Sequence, residues 1–345
     1  MRAMILAAGL GTRLRPLTYV MPKPVAPVLN RPIVVWIADL LARSGFREVV
    51  TNLSYMPERI REVLGDGSGL GLQVTYSEEP EPLGTAGGVG KVRDFLGATD
   101  SFLVISGDAL TTIDLAAMRQ AHEANVAKGA IATLATKRVD DTTQFGVVIT
   151  DAERRISGFQ EKPEPAEALS NLANCGIYMF RSEIFDYFPP PDHKSPAGDD
   201  DQPAGFVDWA MDVFPGLLEG DVPFYSHEID SYWNDIGSVA EFVQGNLDAL
   251  RGEVGIEPPA PQVSHGIFAG RDSDLGAVKV RAPALIGKGA RFGTGVDLHG
   301  PVVVGDRCRV GAGAMLRDTV VLPGAEVPDG ALVVGGLYGL EPDRP

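Results

Sequence analysis

The sequence predicts an α/β protein with a mostly parallel sheet sandwiched by helices, followed by a parallel β-helix. Short apolar runs alternate with helical patterns from residue 3 to about residue 135, which is typical of a sheet with right-handed crossovers. Near the end of the chain, apolar residues recur at every sixth position, which is typical of stacked coils. At 345 residues the chain also exceeds the usual size of a single core, which favours two domains.

The elements of the sheet domain follow in order along the chain. Strands are predicted over residues 3–8, 48–53, 72–77, 102–106, 130–136 and 175–180, with a hairpin over 145–160 around a polar turn at 151–154. Helices are predicted over residues 33–41, 57–64, 86–96, 114–128 and 239–250. Pro57 suits a first helical position and Gly45 suits a helix end. Residues 189–205, rich in Pro and Asp, predict an exposed, mobile loop.

The six-residue repeat predicts one inward-pointing apolar residue for each short strand of a β-helix. The repeating residues are Ile286, Phe292, Leu298, Val304, Val310, Leu316 and Leu322, and glycine follows four of them at positions 287, 293, 305 and 311. Small residues at the corners allow coils to stack. We therefore predict a domain over residues 1–250, a proline-rich linker over 251–262 and a β-helix domain over 263–345.

Charge is unevenly distributed along the chain. The formal net charge is −16, which makes the protein as a whole a poor binder of nucleic acid or anionic membranes. Residues 1–38 contain five basic residues and no acidic one, so this segment carries +5 and the rest of the chain −21. A local basic cluster in an acidic protein indicates a site for a small anion.

The two cysteines and the N-terminal segment indicate a cytoplasmic protein. Cys175 and Cys308 lie far apart in sequence, without metal-ligand spacing, so we expect a reducing compartment and no disulfide framework. The apolar run over residues 3–8 is too short for a signal peptide or a membrane span and predicts a buried strand.

Glycines follow the first predicted strand at Gly9 and Gly11, with Arg13 close behind. Glycines after a strand let backbone amides approach phosphate oxygens, and basic residues supply the opposing charge. The Lys-Ser/Thr pair of a P-loop is absent. The dinucleotide-binding fingerprint fails as well, because Arg13 and Leu14 occupy positions where that turn needs small residues. Ligands of a parallel sheet lie beyond the carboxyl ends of its strands, where this loop and the Gly107–Asp108 pair are both predicted to lie.

The loop and six further motifs, in this order, resemble the sugar-1-phosphate nucleotidyltransferase family over the N-terminal ~245 residues. They are G-L-G-T-R-L-R-P-L-T with P-K-P at 9–24, E-P-E-P-L-G-T-A-G at 79–87, G-D at 107–108, F-G-V-V at 145–148, E-K-P at 161–163, N-C-G-I-Y at 174–178 and W-N-D-I-G at 233–237. The chain departs from the family pattern at Ala8, where glycine is common, and at Phe145, where tyrosine is common. The loop over 189–205 resembles a local insertion.

The resemblance implies a Rossmann-like (GT-A-like) sheet, a C-terminal left-handed β-helix of hexapeptide repeats, and a set of site residues. It assigns catalytic roles to Arg13 and Lys23, which hold the triphosphate and stabilise the leaving charge. It assigns Mg²⁺ to Asp108 and Asp235, since carboxylates combined with water and phosphate oxygens suit this ion. The implied nucleotide-binding residues are Leu6, Ala8, Gly9, Gly11, Thr12, Arg13, Lys23, Glu79, Gly84, Thr85 and Asp108. The implied sugar-phosphate-binding residues are Gly146, Glu161, Lys162 and Asn174. A homo-oligomer, dimer or tetramer, is also expected.

Glu79 bears on the choice of base. Guanine offers two adjacent donors that one carboxylate accepts together, whereas the glutamine common in thymidylyl- and uridylyl-transferring relatives matches a pyrimidine imide. The resemblance therefore favours GTP and mannose 1-phosphate as substrates, with a glucose-1-phosphate thymidylyl- or uridylyltransferase as the alternative. A Glu79 that merely faces solvent beside Glu78 would leave the base open.

Two hypotheses of other classes compete. A non-catalytic subunit that binds nucleotide sugar would have lost charged site residues, and all of those implied above are present. A β-helix that transfers acyl groups would need a histidine base. Of His265 and His299 only the latter falls within the repeat, where a solvated corner is expected, and the short tail favours packing or oligomerisation.

Overall fold

The computed structural model describes residues 1–190, 192–198, 202–276 and 278–340. Packing divides the chain into two compact units. The first unit contains Met1–Gly9, Ile37–Asp108 and Ile113–Trp233, and the second contains Leu10–Trp36, Ala109–Thr112 and the chain from Asn234 onward. Among the described residues, no helix combines the length and the apolar character needed to cross a membrane.

Strands and helices are numbered in chain order. Strands up to residue 234 are β1 (Arg2–Leu6), β2 (Pro27–Val28), β3 (Arg31–Pro32), β4 (Glu48–Leu53), β5 (Gln73–Glu78), β6 (Ser101–Ser106), β7 (Leu110–Thr111), β8 (Ala132–Arg138), β9 (Gly146–Thr150), β10 (Ile156–Glu161), β11 (Leu172–Arg181), β12 (Phe224–Glu228) and β13 (Trp233–Asn234). The later strands are β14 (Gln262–Ser264), β15 (Ile267–Ala269), β16 (Lys279–Arg281), β17 (Ala284–Ile286), β18 (Arg291–Phe292), β19 (Asp297–Val304), β20 (Arg309–Val310), β21 (Met315–Val321), β22 (Glu326–Val327), β23 (Leu332–Val334) and β24 (Leu337–Tyr338). The α-helices are α1 (Ile33–Arg43), α2 (Pro57–Leu64), α3 (Gly84–Lys91), α4 (Arg93–Leu96), α5 (Leu115–Val126), α6 (Phe214–Glu219) and α7 (Val239–Arg251).

The first unit is built on a mixed sheet. Strands β5, β4, β1 and β6 are parallel neighbours, as the alternation of strands and helices predicts. On the other side of β6 the sheet turns antiparallel, because β11 pairs with β6, β8 and β9 in the reverse direction. The predicted hairpin forms between β9 and β10, and the predicted α/β class is confirmed.

Two local predictions for the first unit are wrong. The single helix predicted over residues 86–96 is two helices, α3 and α4, because Val92 between them has φ −109° and ψ 24°, outside the helical region. The first strand ends at Leu6 rather than at Ala8. Its chain turns there because the Ala7 amide donates to the side chain of Asn52 (2.7 Å).

The segment predicted as an exposed, mobile loop is partly buried. Ser195 is only 3% exposed, so the prediction of an exposed loop is wrong at this residue. The side-chain amide of Gln202 donates to the Ser195 carbonyl and its oxygen accepts from the Ser195 amide, which fixes this turn. Residues 191 and 199–201 of the predicted loop lie outside the described residues. Beyond it Trp209, in a short π-helix over Trp209–Val213, stacks on Phe180 with ring centroids 4.5 Å apart.

The β-helix predicted from the six-residue repeat is confirmed in the second unit. Strands β17, β19 and β21 stack in parallel. The register between β17 and β19 is eighteen residues. Between β19 and β21 it changes from eighteen, as for Leu298 against Leu316, to seventeen, as for Val303 against Val320. The repeating apolar side chains point inward, and six of the seven are buried, with Phe292 half-buried. The division of the chain at residues 250 and 262 stays a prediction about sequence modules.

The glycines of the repeat mark places where neighbouring coils nearly touch. A Cβ built on Gly287, Gly293, Gly305 or Gly311 would lie 2.4 Å from a backbone nitrogen of the next coil. Real Cβ atoms essentially never come so close, and backbone cannot move aside as a flexible side chain can. Each of these positions therefore accepts only glycine.

Helix α7 and the β2–β3 hairpin pack within the second unit as well. Asn246 of α7 is fully buried. Its side-chain oxygen accepts from the Leu29 amide (2.8 Å) and its nitrogen donates to the carbonyls of Pro27 and Phe242. The side chain of Asn30, at the tip of the hairpin, donates to the carbonyl of Val304 in the β-helix (2.9 Å). The β-helix thus supports the segment that follows the glycine-rich loop.

Replacing Gly305 by alanine should destabilise the β-helix, because the added Cβ would meet Pro323 N at 2.4 Å. The expected loss is about 2 kcal/mol or more in the free energy of unfolding, measured by urea titration of the full chain. The matched control is Gly313→Asn in the same repeat. A Cβ at Gly313 meets nothing within 4 Å, and asparagine tolerates its φ of +69°. Equal stability of the two variants would contradict this account of coil packing.

Candidate active site

The glycine-rich loop leaves β1 and forms a tight turn at Gly11. Gly11 has φ +61°, and a Cβ there would lie 3.0 Å from side-chain atoms of both Lys23 and Thr18. The Thr18 hydroxyl donates to the Gly11 carbonyl (2.9 Å), and the Leu14 amide donates to the same oxygen (3.0 Å). Glycine is required by the backbone conformation and by this close approach together. The turn leaves the side chain of Arg13 exposed.

Lys23, Arg13 and Asp235 meet in the second unit, although Asp235 lies more than 200 residues further along the chain. The Lys23 ammonium donates to the backbone carbonyl of Asp235 (2.6 Å), and Lys23 is only 7% exposed. The Arg13 guanidinium lies 3.5 Å from the Asp235 carboxylate, with the two side chains 55% and 20% exposed. The structure therefore assembles two predicted phosphate-binding cations around one predicted metal ligand.

The backbone around Asp235 is held in an unusual conformation. Ile236 is fully buried with φ +48°, a conformation that β-branched residues rarely adopt. The Asn234 side chain stabilises it by accepting from the Ile236 amide (2.7 Å) and donating to the Glu241 carbonyl (3.3 Å). The Gly237 amide donates to the Asp235 carboxylate (3.3 Å). Such strain, of about 1–3 kcal/mol, is found mainly where a fixed geometry is needed for function.

Asp108 follows β6 in the first unit, at the carboxyl end of a parallel strand. Gly107 before it donates its amide to the Leu6 carbonyl (2.8 Å), and a Cβ at Gly107 would lie 2.6 Å from the side chain of Ile5. The close pairing of these two strand ends sets where Asp108 leaves the sheet. Asp108 itself is half-buried.

Glu79 is buried rather than facing solvent, with 2% exposure at the end of β5. One carboxylate oxygen accepts from the Asn52 side-chain amide (2.9 Å) and the other from the Leu83 backbone amide (3.1 Å). Asn52 also accepts from the Ala7 amide. Glu79 therefore braces the loop that begins at Leu83, and Asn52 links it to the end of β1.

Gly84 and Thr85 of the G-T-A-G motif begin helix α3. Gly84 has φ +77°, and the Thr85 hydroxyl donates to the Asp208 carboxylate (2.8 Å). The predicted nucleotide-binding residues of the first unit thus lie at or after the carboxyl ends of β1, β5 and β6: Leu6, Ala8, Gly9, Glu79, Gly84, Thr85 and Asp108. Those of the second unit, Gly11, Thr12, Arg13 and Lys23, lie on the loop after Gly9.

Three of the predicted sugar-phosphate residues lie on β9, β10 and β11 of the first unit, and the fourth, Lys162, directly follows β10. Lys162 has φ +45°, and its amide donates to the Phe145 carbonyl (3.2 Å). Its ammonium pairs with the Glu161 carboxylate (2.9 Å), with about half of each side chain exposed. A Cβ at Gly146 would lie 3.0 Å from the other Glu161 oxygen. Gly146, Glu161 and Lys162 are therefore brought together.

Asn174 lies on β11 with its side chain fixed from both ends. Its oxygen accepts from the Gly176 amide (3.2 Å), and its nitrogen donates to the Tyr178 hydroxyl (3.0 Å). The Cys175 carbonyl accepts from the Trp233 indole (3.1 Å). Burial raises the pKa of the Cys175 thiol well above its ordinary value, which disfavours the thiolate form.

Two residues near these motifs were missed at the sequence level, Asn52 and Asp208. Asn52 lies near the carboxyl end of a parallel strand, where ligand-binding residues concentrate, so its position alone could have drawn attention to it. Asp208 precedes a short helix and caps it, which is a common role for aspartate and gives no sign of a contact with Thr85.

Among the described residues, no group of three or more His, Cys, Asp or Glu side chains is arranged to hold a metal ion. Asp108 and Asp235 supply carboxylate oxygens, the donors that Mg²⁺ takes together with water and phosphate oxygens. Both residues are partly exposed, so each is accessible to a metal ion and to a substrate that carries phosphate groups. Each carboxylate is therefore, by its own chemistry, a suitable donor for Mg²⁺.

His299 does not occupy the solvated corner expected for it. Its side chain is 25% exposed, with Nε2 3.1 Å from a carboxylate oxygen of Asp297 and Nδ1 3.3 Å from the Arg281 guanidinium. Both neighbours lie on β-helix strands. The histidine is therefore packed among charged side chains of adjacent coils.

The sheet of the first unit, the cations around Asp235 and the six-residue repeat together define a nucleotide-transferring enzyme with a hexapeptide β-helix. Residues 2–252 match the family model described as nucleotidyl transferase, and residues 283–318 match the bacterial transferase hexapeptide model of six repeats. The chain belongs to the nucleotidyl transferase family. The predicted family and enzyme class are confirmed.

Curated relatives of the chain include enzymes that act on different nucleotides. A UTP–glucose-1-phosphate uridylyltransferase from Synechocystis is 35% identical over 352 residues, covering 98% of this chain and 87% of that protein. A mannose-1-phosphate guanylyltransferase from Mycobacterium tuberculosis is 36% identical over 303 residues, covering 86% of this chain and 78% of that protein. The two relatives belong to one family, but they are named for different nucleotides and different sugars.

Solved structures support the fold. A Bacillus anthracis protein assigned as a glucose-1-phosphate thymidylyltransferase, in complex with sucrose, aligns with a TM-score of 0.61 at 26% identity, over 74% of this chain and 97% of its own. HddC from Yersinia pseudotuberculosis, complexed with GMP-PN, aligns with a TM-score of 0.56 at 21% identity, over 71% of this chain and 97% of its own. The second likeness concerns the fold alone.

Replacing Gly237 by alanine should lower turnover without unfolding the protein. The added Cβ would lie 2.9 Å from the Arg13 guanidinium and 3.1 Å from the Asp235 carboxylate, and these flexible side-chain ends would move. We expect a change below about 1 kcal/mol in the free energy of unfolding, but a loss of about tenfold or more in kcat/KM. In the control Gly245→Ala the new Cβ has no contact closer than 3.5 Å. Equal turnover in the two variants would show that the Arg13 position is unimportant.

Proposed function

We propose that this enzyme transfers the guanylyl group of GTP to mannose 1-phosphate, giving a nucleoside-diphosphate sugar and pyrophosphate. An oxygen of the sugar phosphate attacks the α-phosphorus, the bond from that phosphorus to the bridging oxygen breaks, and pyrophosphate leaves in line. Both substrates are anions, so the protein's task is mainly to neutralise charge and align the reacting atoms.

The observation that most supports this proposal is the gathering of Arg13 and Lys23 around Asp235. The Lys23 ammonium is fixed by a backbone carbonyl, which keeps a positive charge in place before any substrate arrives. Arg13 is half exposed, so its guanidinium is free to turn from Asp235 towards a triphosphate. In this proposal the two residues neutralise the charge that develops on the leaving pyrophosphate.

Asp108 and Asp235 would hold Mg²⁺ in this reaction. The bound ion supplies charge neutralisation and orients phosphate oxygens. The strained turn at Ile236 and the hydrogen bond from Gly237 fix the Asp235 carboxylate. A carboxylate held in this way loses little side-chain freedom when it coordinates a cation.

The sugar phosphate would be held by Lys162, with Glu161, Gly146 and Asn174 contacting the sugar. The Lys162–Glu161 pair is exposed, so it contributes little to stability and can exchange partners when substrate binds. Asn174 is different, because Gly176 and Tyr178 fix its amide. It is therefore suited to a fixed hydrogen bond with a hydroxyl.

Glu79 supports guanine as the base. Its two oxygens each accept one hydrogen bond from the protein, from Asn52 and from Leu83, and a carboxylate oxygen has a second lone pair. These bonds fix the plane of the carboxylate. In this proposal the remaining lone pairs accept the two adjacent N–H donors of guanine.

The second candidate is a uridylyltransferase that acts on glucose 1-phosphate. The relative with that activity matches 98% of this chain, including the β-helix. In this case Glu79 only braces the loop after Leu83 and leaves base choice to other groups. A non-catalytic nucleotide-sugar sensor is less well supported, because the implied cations and carboxylates are all present.

The two cysteines bear on the cellular setting. Both cysteines are free and buried, which suits a reducing compartment, and we propose a cytoplasmic enzyme. The β-helix presents several stacked strands that suit association of copies into a dimer or tetramer. No nucleic acid or membrane partner is proposed for a chain of net charge −16.

Asp235→Asn should abolish most activity while leaving the fold intact. Asparagine keeps the oxygen that accepts from Gly237 but removes the charge that a metal ion requires. We expect kcat to fall by about a hundredfold or more at unchanged unfolding free energy, and the same for Asp108→Asn. Asp141→Asn is the control, since that exposed carboxylate accepts from the Thr143 amide in a similar turn. Near-normal rates in both site variants would remove the metal assignment.

The base is tested by a panel of GTP, UTP, dTTP and ATP against mannose and glucose 1-phosphates, with pyrophosphate release as the readout. Glu79→Gln should lower kcat/KM for GTP relative to UTP by about tenfold, since one charged hydrogen bond is lost. The control Asn52→Ala weakens the brace but keeps the carboxylate, so it should affect all nucleotides alike. If both variants lower kcat/KM equally for every nucleotide, Glu79 only stabilises the loop after Leu83 and does not select the base.

A further inference from the structure

Residues 205–209, which we call the strap, contact the G-T-A-G motif along its whole length. The strap's Val207 amide donates to the Leu83 carbonyl (2.9 Å), and the Val207 carbonyl accepts from the amides of both Ala86 and Gly87 (2.9 Å each). The first turn of α3 thus makes its backbone hydrogen bonds with the strap. Its shape depends on the strap being in place.

The two glycines of the motif are required by this contact. A Cβ at Gly84 would lie 2.5 Å from the Val207 carbonyl oxygen, and one at Gly87 would lie 2.4 Å from the Gly205 carbonyl oxygen. Both obstacles are backbone atoms, which cannot turn away. The glycines therefore allow the strap to lie directly against the loop.

Thr85 joins the same contact through its side chain. Its hydroxyl donates to the Asp208 carboxylate (2.8 Å) and accepts from the Trp209 amide (3.1 Å). With its donor and one lone pair taken by the strap, the hydroxyl is fixed in direction. Thr85 is thus bound to protein at the position where the family resemblance implies a nucleotide contact.

Asp208 is itself held firmly. Its second oxygen accepts from the amides of Ala210 and Met211 (2.9 and 3.1 Å), which caps the π-helix. Its own amide donates to Asp212 (2.7 Å), whose buried carboxylate lies 2.8 Å from the ring of His193. Trp209 beside it is buried in the aromatic core. The strap is therefore anchored to the core.

We propose that Asp208 is a positioning residue for nucleotide binding, acting through the Thr85 hydroxyl to hold the G-T-A-G loop in its binding shape. That the bound molecule is a nucleotide rests on the proposed function. That the strap fixes the G-T-A-G loop rests on the contacts described above. The strap fixes the loop before nucleotide arrives, so the nucleotide does not have to order it. Loss of Asp208 weakens nucleotide binding and leaves the sugar-phosphate residues unaffected.

The test compares Asp208→Ala with Asp208→Asn in the full chain. Asparagine keeps the oxygen that caps the π-helix and can donate to Thr85 from its nitrogen, so it is the rescue variant. Asp208→Ala should raise KM for the nucleotide about tenfold, with kcat and KM for the sugar phosphate changed less than about twofold. Asp208→Asn should restore most of the nucleotide affinity. Equal rises in both KM values, or a wild-type nucleotide KM in Asp208→Ala, would overturn the proposal.

Amide hydrogen exchange separates this inference from the proposed function. Without substrate, Ala86 and Gly87 should exchange faster in Asp208→Ala and in Thr85→Val than in the wild type, whereas Thr85→Ser keeps the hydroxyl and should keep their protection. The effect of the double variant Asp208→Ala/Thr85→Val should not exceed that of the larger single one, because both act through one contact. Additive effects or unchanged exchange would refute the positioning role. A wild type that transfers no nucleotide would refute the proposed function alone.

Discussion

The hydrogen bond from the Lys23 ammonium to the Asp235 carbonyl joins two motifs that lie 212 residues apart in sequence. A lysine that is 7% exposed is stable only when its charge is solvated by protein groups, so burial and this bond depend on each other. The bond determines where the loop after Gly11 meets the turn at Asp235. Arg13 then reaches the side-chain carboxylate of the same residue from the exposed side. The arrangement concentrates positive charge in a chain that is otherwise strongly acidic.

The β-helix contributes to this arrangement although it supplies none of the implied site residues. Asn246 fixes the β2–β3 hairpin to helix α7, and Asn30 fixes its tip to the β-helix. The hairpin follows Lys23 and the helix follows Asp235, so both sides of the Lys23–Asp235 bond are supported by one packed unit. The contacts of Asn246 and Asn30 thus give the β-helix a structural role within the second unit.

The parts of the fold that sequence predicted are those whose pattern is local. The six-residue period reflects the geometry of one coil, so the inward positions from Ile286 to Leu322 could be identified without knowing any partner. The antiparallel half of the sheet could not be predicted from the sequence, because the direction in which β11 pairs with β6 is set by tertiary packing. The Asn52–Glu79 and Thr85–Asp208 bonds join residues 27 and 123 positions apart and depend on side-chain conformations, which local pattern does not encode.

The G-T-A-G motif shows why a motif match and a structural reason can differ. The resemblance assigns Gly84 and Thr85 to the nucleotide, yet the contacts of both residues here are with the strap. Packing against the strap requires glycine at position 84 whether or not a base lies above it. The motif therefore establishes the family, but the choice of base must be sought in groups that face the ligand. In the proposed function that group is Glu79, whose carboxylate would accept the two adjacent donors of guanine, where a pyrimidine imide offers one.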